Sequence, residues 1–126
     1  MPITSLDHVN LRTTRLDAMV AWYADILGLR SETRPDFGFP GAWIYAGGRP
    51  VVHLIGIDGP ESTGSETELK LEHFAFAATG LTEFEALLKD RGERYRRSDN
   101  RLVGLVQMNV WDPDGNHIHV DFPAGT

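Results

Sequence analysis

Histidines stand at positions 8, 53, 73, 117 and 119, and four of these five recur at one spacing: His8 and His73 are 65 residues apart, His53 and His119 are 66 apart. Imidazole nitrogen is a borderline ligand suited to zinc, nickel, iron and copper, and a metal centre needs several such groups converging from different segments. A single histidine on a strand is more often a hydrogen-bonded core or surface residue. Four at matched offsets predict a metal site formed by His8, His53, His73 and His119. In "NHIHVDFP" (116–123) strand alternation puts His117, His119 and Asp121 on one face and Ile118, Val120 and Phe122 on the other. His117 is matched in the first half only by Val51, so it is expected to stand behind the ligands or at the surface. Asp121 is a carboxylate that could support a ligand from behind.

The elements that must position these residues are themselves repeated. "LDHVNLRTTRLDAM" (6–19) aligns with "LEHFAFAATGLTEF" (71–84), pairing Leu6 with Leu71, Asp7 with Glu72, His8 with His73, Leu11 with Phe76, Thr14 with Thr79 and Leu16 with Leu81. Each block passes from an alternating segment into a helical one, 16–28 and 81–92. Met19, Trp22, Tyr23 and Ile26 form one apolar stripe and Leu81, Phe84, Leu87 and Leu88 the other; a glycine, Gly28 or Gly92, stands at each helix end. Strands are predicted near 30–37, 41–46 and 50–57 in the first half and near 93–98, 103–111 and 116–122 in the second, with glycine and proline punctuation between them. The polar stretch "DGPESTGSETE" (58–68) reads as a linker.

The fold predicted is therefore α+β: two tandem βαβββ modules forming curved mixed sheets around a central cleft. Module 1 covers about 1–57 and module 2 about 69–126, within one domain. A unit of this size buries too little surface to be more than marginal alone, so each copy needs a partner face. If the first and last strands of each half are neighbours, His8 and His53 line one wall and His73 and His119 the other.

Residues around the histidines could form a substrate pocket. Asn10 and Arg12 share the strand face of His8, and Arg12 could bind an anionic group. Trp43 and Tyr45, with Phe37 and Phe39, could form an aromatic wall; Gln107 and Asn109 alternate with Trp111 and could hydrogen-bond a substrate.

Composition excludes several classes. A net charge of -6 and a pI near 5.2 argue against a nucleic-acid partner. The one basic cluster, "RGERYRRSDNR" (91–101), is broken by acids and reads as a solvated face. There is no cysteine, which removes disulfides and thiolate metal sites. No apolar run approaches the ~18 residues of a membrane span, and "MPITSLDHV" lacks the regions of a signal peptide. No membrane association and a cytoplasmic location are expected.

With these residues in view, the chain resembles the vicinal oxygen chelate superfamily, the group of glyoxalase I, fosfomycin-resistance proteins, bleomycin-resistance proteins and extradiol dioxygenases. "LDHVNLRTTRLDAMVAWYADILGLR" is similar to the family's opening strand and helix, and "DPDGNHIHV" to its closing hairpin and strand. "DPDG" would also turn the chain by itself, since Pro113 fixes φ, Gly115 accepts a positive φ and Asp112 can cap amides. The resemblance implies that His8 and His73 are the equivalent first-strand ligands and that His53 is the further ligand used by glyoxalase I-like members. His119 falls where the family usually has glutamate. It further implies a divalent ion (Zn, Ni, Fe or Mn), a small-molecule substrate binding through adjacent oxygens, and a homodimer. Arg12 lies near an arginine of glyoxalase-like relatives. Imidazole in place of the carboxylate leaves the ion its full positive charge and removes a proton acceptor, so no catalytic base is assigned. Lewis-acid isomerase or lyase chemistry is the leading expectation; an Fe(II) extradiol-type dioxygenase and a non-catalytic drug- or metabolite-binding protein are the alternatives.

Overall fold

The computed structural model describes residues 2–61 and 64–125. Ten elements follow one another as β1 (Val9–Thr13), α1 (Leu16–Asp25), β2 (Ser31–Glu32), β3 (Gly41–Ala46), β4 (Arg49–Gly56), β5 (Phe74–Ala77), α2 (Leu81–Asp90), β6 (Tyr95–Asn100), β7 (Leu105–Trp111) and β8 (His117–Pro123). These are two βαβββ modules in tandem. The chain divides into two compact units between residues 62 and 63, a point inside the polar stretch 58–68.

In the first unit the sheet order is β1-β4-β3-β2, with β1 and β4 parallel and the other pairs antiparallel. The parallel pair arises because β1 leads into α1, and the chain returns through the β2–β3–β4 meander to lay β4 beside β1. Ala46 pairs with Arg49 across Gly47 and Gly48, whose φ angles of 59° and 79° permit a two-residue hairpin that a Cβ would strain. Register then fixes the faces. Val9 opposes Val52, Leu11 opposes Leu54 and Ile44 opposes Val52; this side is covered by Met19, Tyr23 and Ile26 from α1 and its C-terminal end, all buried with Ile44, Val52 and Leu54. The alternate residues, Asn10, Trp43 and His53, are opposed to one another on the other face.

The second unit repeats the plan with the order β5-β8-β7-β6. Its core is Val106, Met108 and Val110 from β7, Ile118, Val120 and Phe122 from β8, and Leu81 and Leu88 from α2. The Phe84 ring on α2 lies 5.6 Å from that of Phe122. His119 therefore projects from the opposite face, between Ala75 on β5 and Asn109 on β7.

Three boundaries differ from the sequence expectation. The strand predicted over 30–37 is confined to Ser31–Glu32: Pro35 has no N–H for a ladder, and Asp36 Oδ1 accepts the Gly38 N–H at 2.9 Å in a local turn. The strand predicted at 93–98 runs instead from Tyr95 to Asn100. His8 and His73, expected on the first strand of each half, precede it by one residue, because the parallel ladders begin at Val9↔Val52 and Phe74↔Ile118.

Candidate metal centre

The second unit gathers its polar groups on the face away from α2. The hairpin before β8 sets their positions. Asp112 is 4% exposed, and its Oδ1 accepts the Asp114 N–H at 3.0 Å, the Asn116 N–H at 2.9 Å and the Asn116 side-chain amide at 3.2 Å. Gly115 takes a φ of 81° in the same turn. With the turn fixed, Trp111 must pair with His117 and Asn109 with His119, which aims both histidines at one side.

There, the His73 and His119 rings stack at 3.9 Å with an interplanar angle of 11°, and the His117 ring meets His119 edge-on at 4.8 Å. Glu72 accepts a hydrogen bond from His73 Nδ1. One donor atom each from Glu72, His73, His117 and His119 lies within 4.8 Å of the others. Such a set of three imidazoles and one carboxylate fits zinc or another borderline divalent ion.

The protonation pattern is informative. Asn109, 2% exposed, donates from Nδ2 to the Arg96 carbonyl at 2.9 Å, so its Oδ1 is an acceptor. His117 Nε2 donates to that oxygen at 2.8 Å. A neutral imidazole has one N–H, yet His117 Nδ1 faces Glu72 Oε1 at 3.1 Å and Glu66 Oε2 at 3.3 Å. Two carboxylates thus converge on the His117 nitrogen that is left once Nε2 is bound to Asn109. Burial first, then the neighbouring His73 and His117, push the His119 pKa down to about 4, which keeps its lone pair available at neutral pH. Hydrogen bonding from His73 holds the Glu72 carboxyl below its ordinary range. Asp121 is raised by burial; its Oδ1 is buried without a hydrogen bond and lies 4.0 Å from His119 Nδ1.

The first unit carries the same stacked pair. His8 and His53 lie 3.8 Å apart at 8°, and Trp43 covers the other face of His53 at 4.3 Å and 16°. His8 Nδ1 bonds Asp7 at 3.2 Å, as His73 bonds Glu72. His53 Nε2 donates to the Pro50 carbonyl at 3.1 Å, leaving Nδ1 as its lone-pair nitrogen. Burial, with His8 beside it, lowers the His53 pKa.

The other sequence candidates fall into distinct settings. Asn10 and Trp43 line a groove of about 170 Å³ with Phe37 and Phe39. Arg12 is exposed, opposite Ile55. The Tyr45 hydroxyl is bound to the Thr33 carbonyl. Gln107 lies opposite Ser98 and Asp121. Asn109 is engaged in holding His117. The basic cluster is met by acids: Arg96 pairs with Glu66 and Arg97 with Glu85 and Asp99. Arg94 stacks on Trp111 at 3.7 Å. Sequence reasoning passed over Glu72 and Glu66. The Asp7–Glu72 match in the repeat was the available sign of the former; Glu66 lies in the polar stretch and had none.

Comparison with known proteins gives consistent results. The sequence model of the Glyoxalase/Bleomycin resistance protein/Dioxygenase superfamily matches residues 5–120. A protein named Glyoxylase I 4 from Arabidopsis thaliana is 28% identical, the match covering 94% of this chain and 70% of that protein. Among solved structures, a glyoxylase/bleomycin resistance protein/dioxygenase domain from Frankia superposes with a TM-score of 0.79 at 21% identity, covering 98% of this chain and 95% of that one. A lactoylglutathione lyase from Agrobacterium tumefaciens gives 0.71 at 17% identity, over 97% and 96%. At these identities the two structures establish the fold.

Proposed function

The chain belongs to the Glyoxalase/Bleomycin resistance protein/Dioxygenase superfamily, and from that premise we propose that it is a metal-dependent enzyme carrying out Lewis-acid isomerase or lyase chemistry on a small molecule with adjacent oxygens. The observation that carries this reading is the stacked histidine pair in each unit, His8 with His53 and His73 with His119. These four are the proposed ligands. A bound divalent ion supplies the Lewis acid. The chain's own contribution is to fix the ligands: Asp7 and Glu72 each hold the Nδ1–H of the following histidine and leave its Nε2 for coordination. Low pKa values keep His53 and His119 as neutral donors.

A second reading is favoured by Glu72. With His73 and His119 it makes a two-histidine, one-carboxylate set inside the second unit, the donor set of non-haem Fe(II) oxygenases. Glu72 would restore the carboxylate missing at position 119, and an extradiol-type dioxygenase becomes the alternative activity. The name of the Arabidopsis relative, Glyoxylase I 4, favours the glyoxalase-like reading. The third reading, a binding protein without chemistry, requires ligand binding that survives chelation.

Metal analysis of untagged protein separates these. Metal lost from His8→Ala and from His73→Ala supports the four-histidine centre; metal kept by His8→Ala but lost from His73→Ala and Glu72→Gln supports the centre within one unit. A wild-type protein that takes up no divalent ion sinks both. Oxygen uptake with a catechol panel, set against turnover of dicarbonyl and thioester substrates, then decides the reaction.

A further inference from the structure

We propose that Arg34 is an anion anchor, and that the groove it borders in the first unit takes a small planar carboxylate. The inference deepens the functional reading and rests on it in one respect: the group bound beside His53 is taken to be part of the substrate.

Arg34 packs against Phe37, Phe39 and Gly41. Its guanidinium carbon lies 5.0 Å from the Phe37 ring centroid and 5.1 Å from that of Phe39. Gly41 stands beside it: a Cβ there would meet the Leu54 backbone carbonyl at 2.5 Å and Arg34 Nη2 at 2.7 Å, so the bare backbone lets both the neighbouring strand and the guanidinium come close. A long, flexible side chain loses substantial rotamer freedom when fixed in this way.

The hydrogen bonds it makes do not account for that ordering. Arg34 offers five N–H donors; its hydrogen bond to the Phe39 carbonyl is long, 3.4 Å from Nη2, and Nε is buried with no partner. Among the described residues it forms no ion pair, in contrast to Arg15, Arg96 and Arg97. A guanidinium packed against two aromatic rings with most of its donors unused suits a carboxylate, whose two oxygens match its fork.

The groove sets the rest of the ligand. Arg34, Phe37, Phe39 and Trp43 line it beside Asn10 and His53. Trp43 lies flat on His53, which offers planar surfaces for stacking. Its volume of about 170 Å³ is below the ~300 Å³ at which pockets for drug-sized ligands begin. A one-ring aryl carboxylate is of the right class, with charge at Arg34 and the ring along the aromatic wall.

The probes are benzoate and its neutral analogue benzamide, titrated by calorimetry and by tryptophan fluorescence in a Trp22→Phe/Trp111→Phe background that leaves Trp43 as reporter. Benzoate is expected to bind about tenfold more tightly than benzamide, the difference shrinking with added salt. Arg34→Gln should abolish the preference and Arg34→Lys should keep part of it. Equal affinity for the two probes, no binding of either, or unchanged benzoate affinity in folded Arg34→Gln overturns the proposal. If Arg34→Gln does not fold by circular dichroism, the wild-type benzoate-to-benzamide ratio and its salt dependence decide. A preference that persists in a protein that binds no metal upholds the anchor while the metal reading fails. One equivalent of bound metal without any preference means the reverse.

Discussion

His117 has more acceptors around it than a neutral imidazole has protons, and this residue marks the limit of what alternation could reveal. The sequence placed it on the face of His119; it could not show that Asn109 and two glutamates converge on it from β7, the segment before β5 and the polar stretch 58–68. Asn109→Leu should leave the His117 N–H and the Arg96 carbonyl unpaired in a buried setting, at a cost of about 1–3 kcal/mol, read as a lower urea midpoint with an unchanged slope. His119 gives a pH prediction. Its pKa in the folded chain, about 4, is below the ordinary 6.5, so the unfolded chain binds more protons between those values and metal-free stability should fall as pH drops from about 6.5 toward 4. Asp121, raised by burial, acts oppositely: its contribution is present at low pH and fades as pH rises above the ordinary aspartate range. Urea midpoints at pH 7 and 4.5 should therefore differ less in His119→Gln than in wild type.

At the scale of elements, the periodicity of two and the helical stripes located every strand and both helices, because each has one face committed to a core. An edge strand has one ladder partner, and in the 30–37 segment, where Pro35 has no N–H to give and Asp36 forms a local turn, extended character in the sequence produces only Ser31–Glu32. The β7–β8 turn is the element on which the candidate centre depends most. Asp112→Ala would remove a buried acceptor shared by three N–H contacts and should cost about 2–3 kcal/mol or more. It should also weaken metal retention although no ligand is altered, which isothermal titration with Zn²⁺ on the still-folded fraction can check. Gly64→Ala should act on the same turn from outside, since a Cβ there would stand 2.7 Å from Asn116 Oδ1 and 2.9 Å from its Cα; the expected result is a lower melting temperature.

For the whole molecule, duplication was the most legible property, since the 65-residue match fixed the module plan before any element boundary was known. The approach of Glu66 to His117 was not legible, because it depends on where a loop folds back onto a sheet face. Light scattering tests the expected homodimer: a mass twice the chain's 14.0 kDa is the predicted result. One consequence of the repeated register concerns the history of the gene. Trp43 and Asn109 occupy corresponding sites, each opposite the last-strand histidine of its own unit, yet one covers that ring with an aromatic face and the other holds the neighbouring His117. The halves have diverged by taking different duties at a shared address. A chain assembled from two second halves would inherit the carboxylate-bearing histidine face twice and have no aromatic wall.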